Sequence, residues 1–182
     1  MIAAMLITAI CSAAAIGYVY QLTKEPIAKS QNYKIIQALE EIIGTFDNNP
    51  LEEKTTLSES KSELYPAREN DEITSVAIKS SSNDGFGGKI ELLIGILMDG
   101  TITGYKIIEH SETPGLGDKV TEPKFGSQFV GLNAHNDNFN LKNDGGEIDA
   151  VTGATISSRA VVGAVKKAVD AYNKFAGAAG HE

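Results

Sequence analysis

The sequence predicts an α+β protein, in which a single N-terminal transmembrane helix is followed by a domain with a small antiparallel sheet and flanking helices. Three observations predict it. The first 23 residues carry no charge and are filled mainly by Ala, Ile, Leu, Val and Met. The stretch "GGKIELLIGILMDGTITGYKIIEH" places Asp99-Gly100 between two runs rich in β-branched residues, a strong hairpin signal. Near the C-terminus, Val161, Ala164, Val165, Ala168, Tyr172 and Phe175 recur at helical spacing and mark one buried face.

In chain order, residues 2–22 supply the roughly 20 apolar helical residues that a hydrocarbon core about 30 Å thick requires. Tyr18 and Tyr20 fall where interfacial anchors belong, and Lys24 marks the exit to water. A cleaved signal peptide is the competing reading; a basic leader segment is missing and the apolar run is long for one. A lipoprotein signal is excluded, because Ile10 rather than a small residue precedes Cys11. The next stretch, "TKEPIAKSQNYKIIQALEEIIG", spaces Ile35, Ile36, Leu39, Ile42 and Ile43 as an amphipathic helix, with Gly44 as its stop. Residues 47–64 are polar without periodicity and read as a surface loop. Short β-like runs begin at Ile73. Residues 90–98 are almost continuously apolar, as in a strand covered on both faces, and residues 102–108 pair back against them. "EPKFGSQFVGL" reads as a short helix, residues 147–151 as a short strand and residues 157–175 as the final helix. The expected organisation is an anchor at 1–23, a helical connector and surface loop at 24–70, and a ligand-binding domain at 71–182.

The net charge of −8 lies after the anchor, and no run of basic residues occurs, which argues against nucleic acid and anionic lipid surfaces as partners. Charge does not decide the orientation of the span, since Lys24 and Lys29 follow it and nothing precedes it. With one cysteine the chain forms no internal disulfide and holds no iron–sulfur cluster by itself. The phosphate-binding, dinucleotide-binding and nucleophile-elbow glycine motifs are also missing.

Two segments are left as candidate sites. In "DAVTGATISS", Thr152, Thr155, Ser157 and Ser158 stand at the entry to the last helix, where a hydroxyl either caps backbone N–H groups or helps a helix N-terminus hold a phosphate. In "HSETPGLGDK", His110, Glu112, Thr113, Asp118 and Lys119 surround glycines that let a flat ligand approach the backbone. The ordinary reading of that stretch is a Gly/Pro turn, and His110 with Glu112 does not make a metal site.

Together the anchor, "GKIELLIGILMDGTITGYKIIEHSETPGLG", "FGSQFVG" and "IDAVTGATISS" resemble the FMN-binding domain family found in the G subunit of the Rnf complex and the C subunit of the sodium-pumping NADH:quinone reductase. "DAVTGAT" matches the signature at which a flavin transferase attaches FMN through a phosphoester. The resemblance implies covalent FMN on Thr155, with Thr152, Gly153 and Ala154 around it and Asp149 in the transferase's recognition sequence. It implies ring or ribityl contacts from Glu112, Thr113, Pro114, Gly115, Leu116 and Gly117, and a phosphate contact or plain surface position for Lys119. No catalytic residue and no metal site is expected. The implied role is electron transfer within an Rnf-type ferredoxin:NAD⁺ oxidoreductase coupled to Na⁺ or H⁺ transport, in the bacterial cell membrane with the domain on the extracytoplasmic side. The implied partners are the other subunits of that complex, the flavin transferase and membrane lipid. The C subunit of the quinone reductase, or a stand-alone anchored flavoprotein donating electrons to an extracytoplasmic reductase, is the alternative; a cofactor-free domain is the third reading.

Overall fold

The structure, a computed structural model, describes residues 2–57 and 62–179; the first residue of the expected anchor, residues 58–61 of the expected loop and the last three of the expected domain lie outside the described residues. The chain divides into two units, 1–35 and 36–182. Helix α1 (Ile2–Ile43) is one continuous helix, so the expected anchor and connector helix have no break between them. Over Met5–Ile43, α1 is long and apolar enough to cross a membrane. Ile7, Ile10, Ile16, Val19 and Leu22 are all exposed, as side chains bound for lipid must be. Pro26 lies inside α1 and removes one N–H from the ladder. It falls just after Lys24, where the sequence turns polar and water can meet the carbonyl left over.

Among its described residues the second unit is built on five strands, β1 (Thr55–Leu57), β2 (Ser62–Glu69), β3 (Glu72–Ser82), β4 (Ile90–Leu97) and β5 (Ile102–His110), all antiparallel and in sequential order. The expected hairpin is present: Gly100 has φ +89°, and the Asp99 carboxylate accepts the Thr101 N–H at 2.8 Å. That bond holds the Asp99 carboxyl below the usual carboxylate range.

One face of the sheet carries Val76, Ile78, Ile90, Leu92, Ile94 and Ile96 against helix α3 (Thr155–Ala179), whose Val161, Ala164, Val165, Ala168 and Tyr172 are buried with them. Each such Val, Leu or Ile removed from water contributes about 1.5–3 kcal/mol. Ser80 Oγ donates to the Ala164 carbonyl at 2.6 Å, and the Tyr172 hydroxyl donates to the Leu97 and Met98 carbonyls, which fixes α3 along the sheet. The opposite face buries Tyr65, Ala77 and Leu93. Its small central positions, Ala77, Gly95 and Gly104, stand side by side in three strands. A Cβ on Gly95 would lie 3.2 Å from both the Ile42 carbonyl and Ile43 Cγ1, so the last turn of α1 sits in that trough. β4 is therefore covered on both faces, as its apolar run predicts.

Two expectations are corrected. Residues 47–64 are not all surface loop, since β1 and the start of β2 lie there and extend the sheet. β2 joins β3 through Asn70 and Asp71, both with positive φ (53° and 67°), the backbone of a tight hairpin turn. Residues 147–151 form no strand; Ile148 makes one isolated bridge to Leu141. The physical reason is that the Gln128 side chain takes both backbone groups of Asp149, accepting its N–H at 2.7 Å and donating to its carbonyl at 3.1 Å, so the groups a neighbouring strand would pair with there are already used. Helix α2 (Pro123–Gly126) occupies the expected short helical stretch.

Candidate cofactor cleft

The entry to α3 is built by a turn that only glycine accommodates well. Gly153 has φ +79°, and the Ala154 N–H closes the turn on the Val151 carbonyl at 2.9 Å. The Ala154 carbonyl accepts the first helical bond, from Ser158 N–H at 2.9 Å, which makes Ala154 the capping residue. Alanine has no side-chain acceptor. Among the described residues the N–H groups of Thr155, Ile156 and Ser157 consequently meet no protein acceptor, and they sit at the positive end of a 25-residue helix.

The neighbouring serines are occupied elsewhere. Ser158 Oγ accepts the Val151 N–H at 3.0 Å and donates to the Ala154 carbonyl at 2.9 Å, tying the turn to the helix rather than capping its amides. Ser157 Oγ donates to Glu112 Oε2 at 2.8 Å in a buried contact. Thr155, half-buried, has no such bond among the described residues, so its hydroxyl is left available.

That Ser157–Glu112 bond joins the helix entry to the glycine-rich turn after β5. Between them opens a cleft of about 340 Å³, lined by Phe86, Glu112, Thr113, Leu116, Gly117, Gly153, Ala154, Thr155, Ile156 and Ser157. Three large apolar side chains face solvent there, Phe86 (70% exposed), Leu116 (53%) and Ile156 (49%). Glu112 is buried, with Oε1 unpartnered. A Cβ on Gly117 would stand 2.2 Å from Glu112 Oε2, and one on Gly85 would stand 2.4 Å from Glu112 Oε1, so both glycines are required by the carboxyl between them. The turn is braced from below: the Tyr105 hydroxyl donates to the Val120 carbonyl at 2.8 Å, and burial pushes the Tyr105 phenol well above its ordinary range.

A cleft with exposed apolar side chains, unpaired helix amides and a free hydroxyl suits a ligand that is flat and apolar at one end and anionic at the other. FMN is such a molecule. The unpartnered Glu112 oxygen and the uncapped start of α3 fit it better than they fit an empty turn, where buried polar groups are normally satisfied.

The site residues expected from sequence separate into two groups. Thr155, Gly153, Ala154, Glu112, Thr113, Leu116 and Gly117 all line the cleft. Thr152, Pro114, Gly115 and Asp149 do not. Gly115 is exposed on the outer side of its turn with φ +79°, and Thr152 and Asp149 line a neighbouring cleft of about 600 Å³ together with Lys119, Glu122, Lys124, Phe125 and Gln128. Asp149 accepts a hydrogen bond from Lys142 Nζ at 2.7 Å and is largely exposed. The His110 Nδ1 accepts the Glu112 N–H at 3.2 Å, which uses that nitrogen within the turn. Phe86, Ile156 and Gln128 escaped the sequence reading. "NDGFGG", an aromatic set among glycines just before a strand, was the available signal for the first; nothing local marks the other two.

The FMN-binding domain family matches residues 85–170, a span that includes both halves of the cleft. The chain is 35% identical over 173 residues to the G subunit of the ion-translocating oxidoreductase complex of Vibrio cholerae, covering 87% of this chain and 82% of that protein. It is also 35% identical to the G subunit of the same complex in Aliivibrio fischeri, covering 90% and 85%. Among solved structures it resembles NqrC of Shewanella oneidensis (TM-score 0.52, 23% identity, 69% of each chain). A second is the C subunit of the Na⁺-translocating NADH-quinone reductase of Parabacteroides distasonis (TM-score 0.53, 19% identity, 71% of this chain and 68% of that one), and at these identities the likeness is one of fold. On its sequence identity to these G subunits and the match at 85–170, the chain belongs to the FMN-binding-domain family of G subunits of ion-translocating oxidoreductase complexes.

Proposed function

We propose that the protein is a single-pass, membrane-anchored electron carrier that holds FMN covalently, through a phosphoester on Thr155, within an Rnf-type ion-translocating ferredoxin:NAD⁺ oxidoreductase. The domain works on the extracytoplasmic side, where the tether prevents loss of the cofactor by dilution. The observation that carries this reading is the state of the α3 entry. Thr155 presents the one hydroxyl of the 152–158 stretch that is both uncommitted and in this cleft, beside three uncapped amides, while Ser157 and Ser158 are bonded within the protein and Thr152 lines the other cleft.

Each group has a definite task. Thr155 Oγ1 would carry the phosphoester: the transferase would exchange a phosphorus–oxygen bond of its flavin donor for the bond to Oγ1, the hydroxyl proton leaving with the departing group. The N–H groups of residues 155–157 would hold the remaining phosphate oxygens, helped by the positive end of α3. Leu116 and Ile156 remove water from the ring, and the 112–117 turn brings backbone close to it. Bound FMN supplies reversible one- and two-electron chemistry, and the protein turns over no substrate of its own. Other subunits of the complex are the electron donor and acceptor, and a flavin transferase is the maturation partner.

The test is intact mass of the chain coexpressed with its flavin transferase. The wild type gains FMN less one water and fluoresces on a denaturing gel. Thr155→Ala gains nothing and stays folded, since it deletes one half-buried hydroxyl and a methyl. In-gel fluorescence from the Ala variant would reassign the attachment.

A further inference from the structure

We propose that Phe86 covers one face of the flavin ring, so that the loop between β3 and β4 is a third wall of the cofactor site alongside the 112–117 turn and the start of α3. The inference rests on the reading of Thr155 as the attachment point.

Phe86 is 70% exposed, although phenylalanines 125, 129 and 139 of the same domain are buried. An aromatic ring left in water forgoes the stabilisation that burial gives, unless something covers it in the working state. It lines the same cleft as Thr155, from a different element. The loop that carries it is seated rather than loose. A Cβ on Gly85 would stand 2.4 Å from both Glu112 Oε1 and the Gly88 carbonyl, and one on Gly87 would stand 2.0 Å from the Ser111 carbonyl. Two glycines therefore let the loop backbone press against residues 111 and 112, and Phe86 projects between them. Ser82 Oγ secures the near side by accepting the Asp84 N–H at 3.2 Å.

The occupant follows from the cleft's polarity. The anionic end of the ligand belongs at α3, because the unpaired amides are there. Its flat apolar end is then directed to the part of the cleft bounded by Phe86 and Leu116. Stacking an aromatic side chain on the isoalloxazine face is the contact that an exposed phenyl ring on a fixed backbone can supply.

The test uses the flavinylated protein and three variants, Phe86→Ala, Phe86→Tyr and, as a control, Phe175→Ala on the far part of α3. Intact mass reports attachment, and iodide quenching of bound-flavin fluorescence reports exposure of the ring. Phe86→Ala is expected to keep the added mass, because the acceptor hydroxyl is on α3 and the loop substitution leaves it in place, and to raise the quenching constant about twofold or more as one of the ring's two faces opens. Phe86→Tyr restores the wild-type constant, and Phe175→Ala leaves it unchanged. An unchanged constant in a flavinylated Phe86→Ala protein overturns the proposal, and if that variant also fails to copurify with the complex, Phe86 belongs to a protein interface instead. Loss of attachment from a folded Phe86→Ala protein overturns it too, by assigning the residue to recognition by the transferase. Absence of added mass in the wild type is a different result and overturns the Thr155 reading alone.

Discussion

Two clefts flank the segment from Asp149 to Thr155, and they differ in every respect that matters to a ligand. The one on the Thr155 side is walled by exposed apolar side chains and ends at bare helix amides. The one on the Asp149 side is larger and carries Lys119, Lys124, Glu122 and Asp149, with Thr152 at its edge. A short motif that looks uniform in sequence is thus folded so that its last hydroxyl serves one surface and its first acid the other. We read the difference as a division between holding the cofactor and being recognised while it is attached. The holding side needs dry walls and fixed donors, whereas recognition by a second protein needs exposed charge.

The largest way to break that division is through Asp149. Its backbone is clamped by Gln128, and its ion pair with Lys142 is exposed, so neither supplies much stability through the side chain. Asp149→Asn is expected to leave the unfolding midpoint nearly unchanged. Attachment by the transferase should slow roughly tenfold to a hundredfold, the range that loss of one charge-assisted hydrogen bond gives. The rate of in-gel fluorescence gain, measured on purified apoprotein, checks this. Attachment at the wild-type rate would mean that the exposed acid is not read. Lys142→Ala separates direct recognition from positioning, because it frees the carboxylate without removing it and is expected to preserve the rate.

On the holding side the corresponding change is Ser157→Ala. It leaves Glu112 buried with neither oxygen partnered, which costs about 1–3 kcal/mol of stability. Urea denaturation of the apoprotein measures it. Adding Glu112→Leu to Ser157→Ala is expected to recover part of the loss, since removing both partners of a buried bond is less costly than removing one. Full additivity of the two losses would show that the bond between the turn and the helix does not brace the cleft. Attachment in Ser157→Ala should fall less than in Asp149→Asn, because Thr155 and the amides remain.

The same contrast explains which parts of the protein were legible in the sequence. Signals that repeat along the chain came through: the apolar start, the Asp99-Gly100 hairpin, the doubly covered β4 and the face of α3. β2 did not. Its Asn70-Asp71 turn lacks the glycine that usually announces a hairpin, and Pro66 argues against a strand until β1 is seen to pair only with residues 62–64, which leaves Pro66 on a stretch of edge that meets the Asn48 side chain instead of a strand. Residues 147–151 failed for the opposite reason, a strand-like composition in which the backbone N–H and carbonyl of Asp149 are taken by a glutamine 21 residues earlier in the chain. Within the site, the motif residues were visible because a family signature carries them. The split of Thr152 from Thr155 was not, because it depends on the reversal of the chain at Gly153, where φ is +79°. Exposure is equally invisible in sequence: Phe86 and Phe125 are both phenylalanines near glycine, and only packing leaves the first bare.

The smallest expected effect concerns the Asp144–Arg159 pair, which ties the loop before the motif to the second turn of α3. Both guanidinium contacts are 2.8 Å, and the Arg159 hydrogen bond holds the Asp144 carboxyl below the usual carboxylate range. Both partners are exposed, so solvent screens the pair and its contribution is small. A carboxyl whose folded value is depressed stabilises the protein above its unfolded pKa of about 3.9, and that contribution disappears as the pH falls through the lower folded value. Asp144→Asn should therefore lower Tm at neutral pH by no more than about 2 °C. The gap between variant and wild type should close in acid, below the ordinary carboxylate range, and shrink in high salt at any pH. A gap that persists in acid would mean that Asp144 acts through its hydrogen-bond geometry rather than its charge. In that case the amide introduced by the substitution would be the group to examine against Arg159, and the loop leading into the motif would be held by shape rather than by an ion pair.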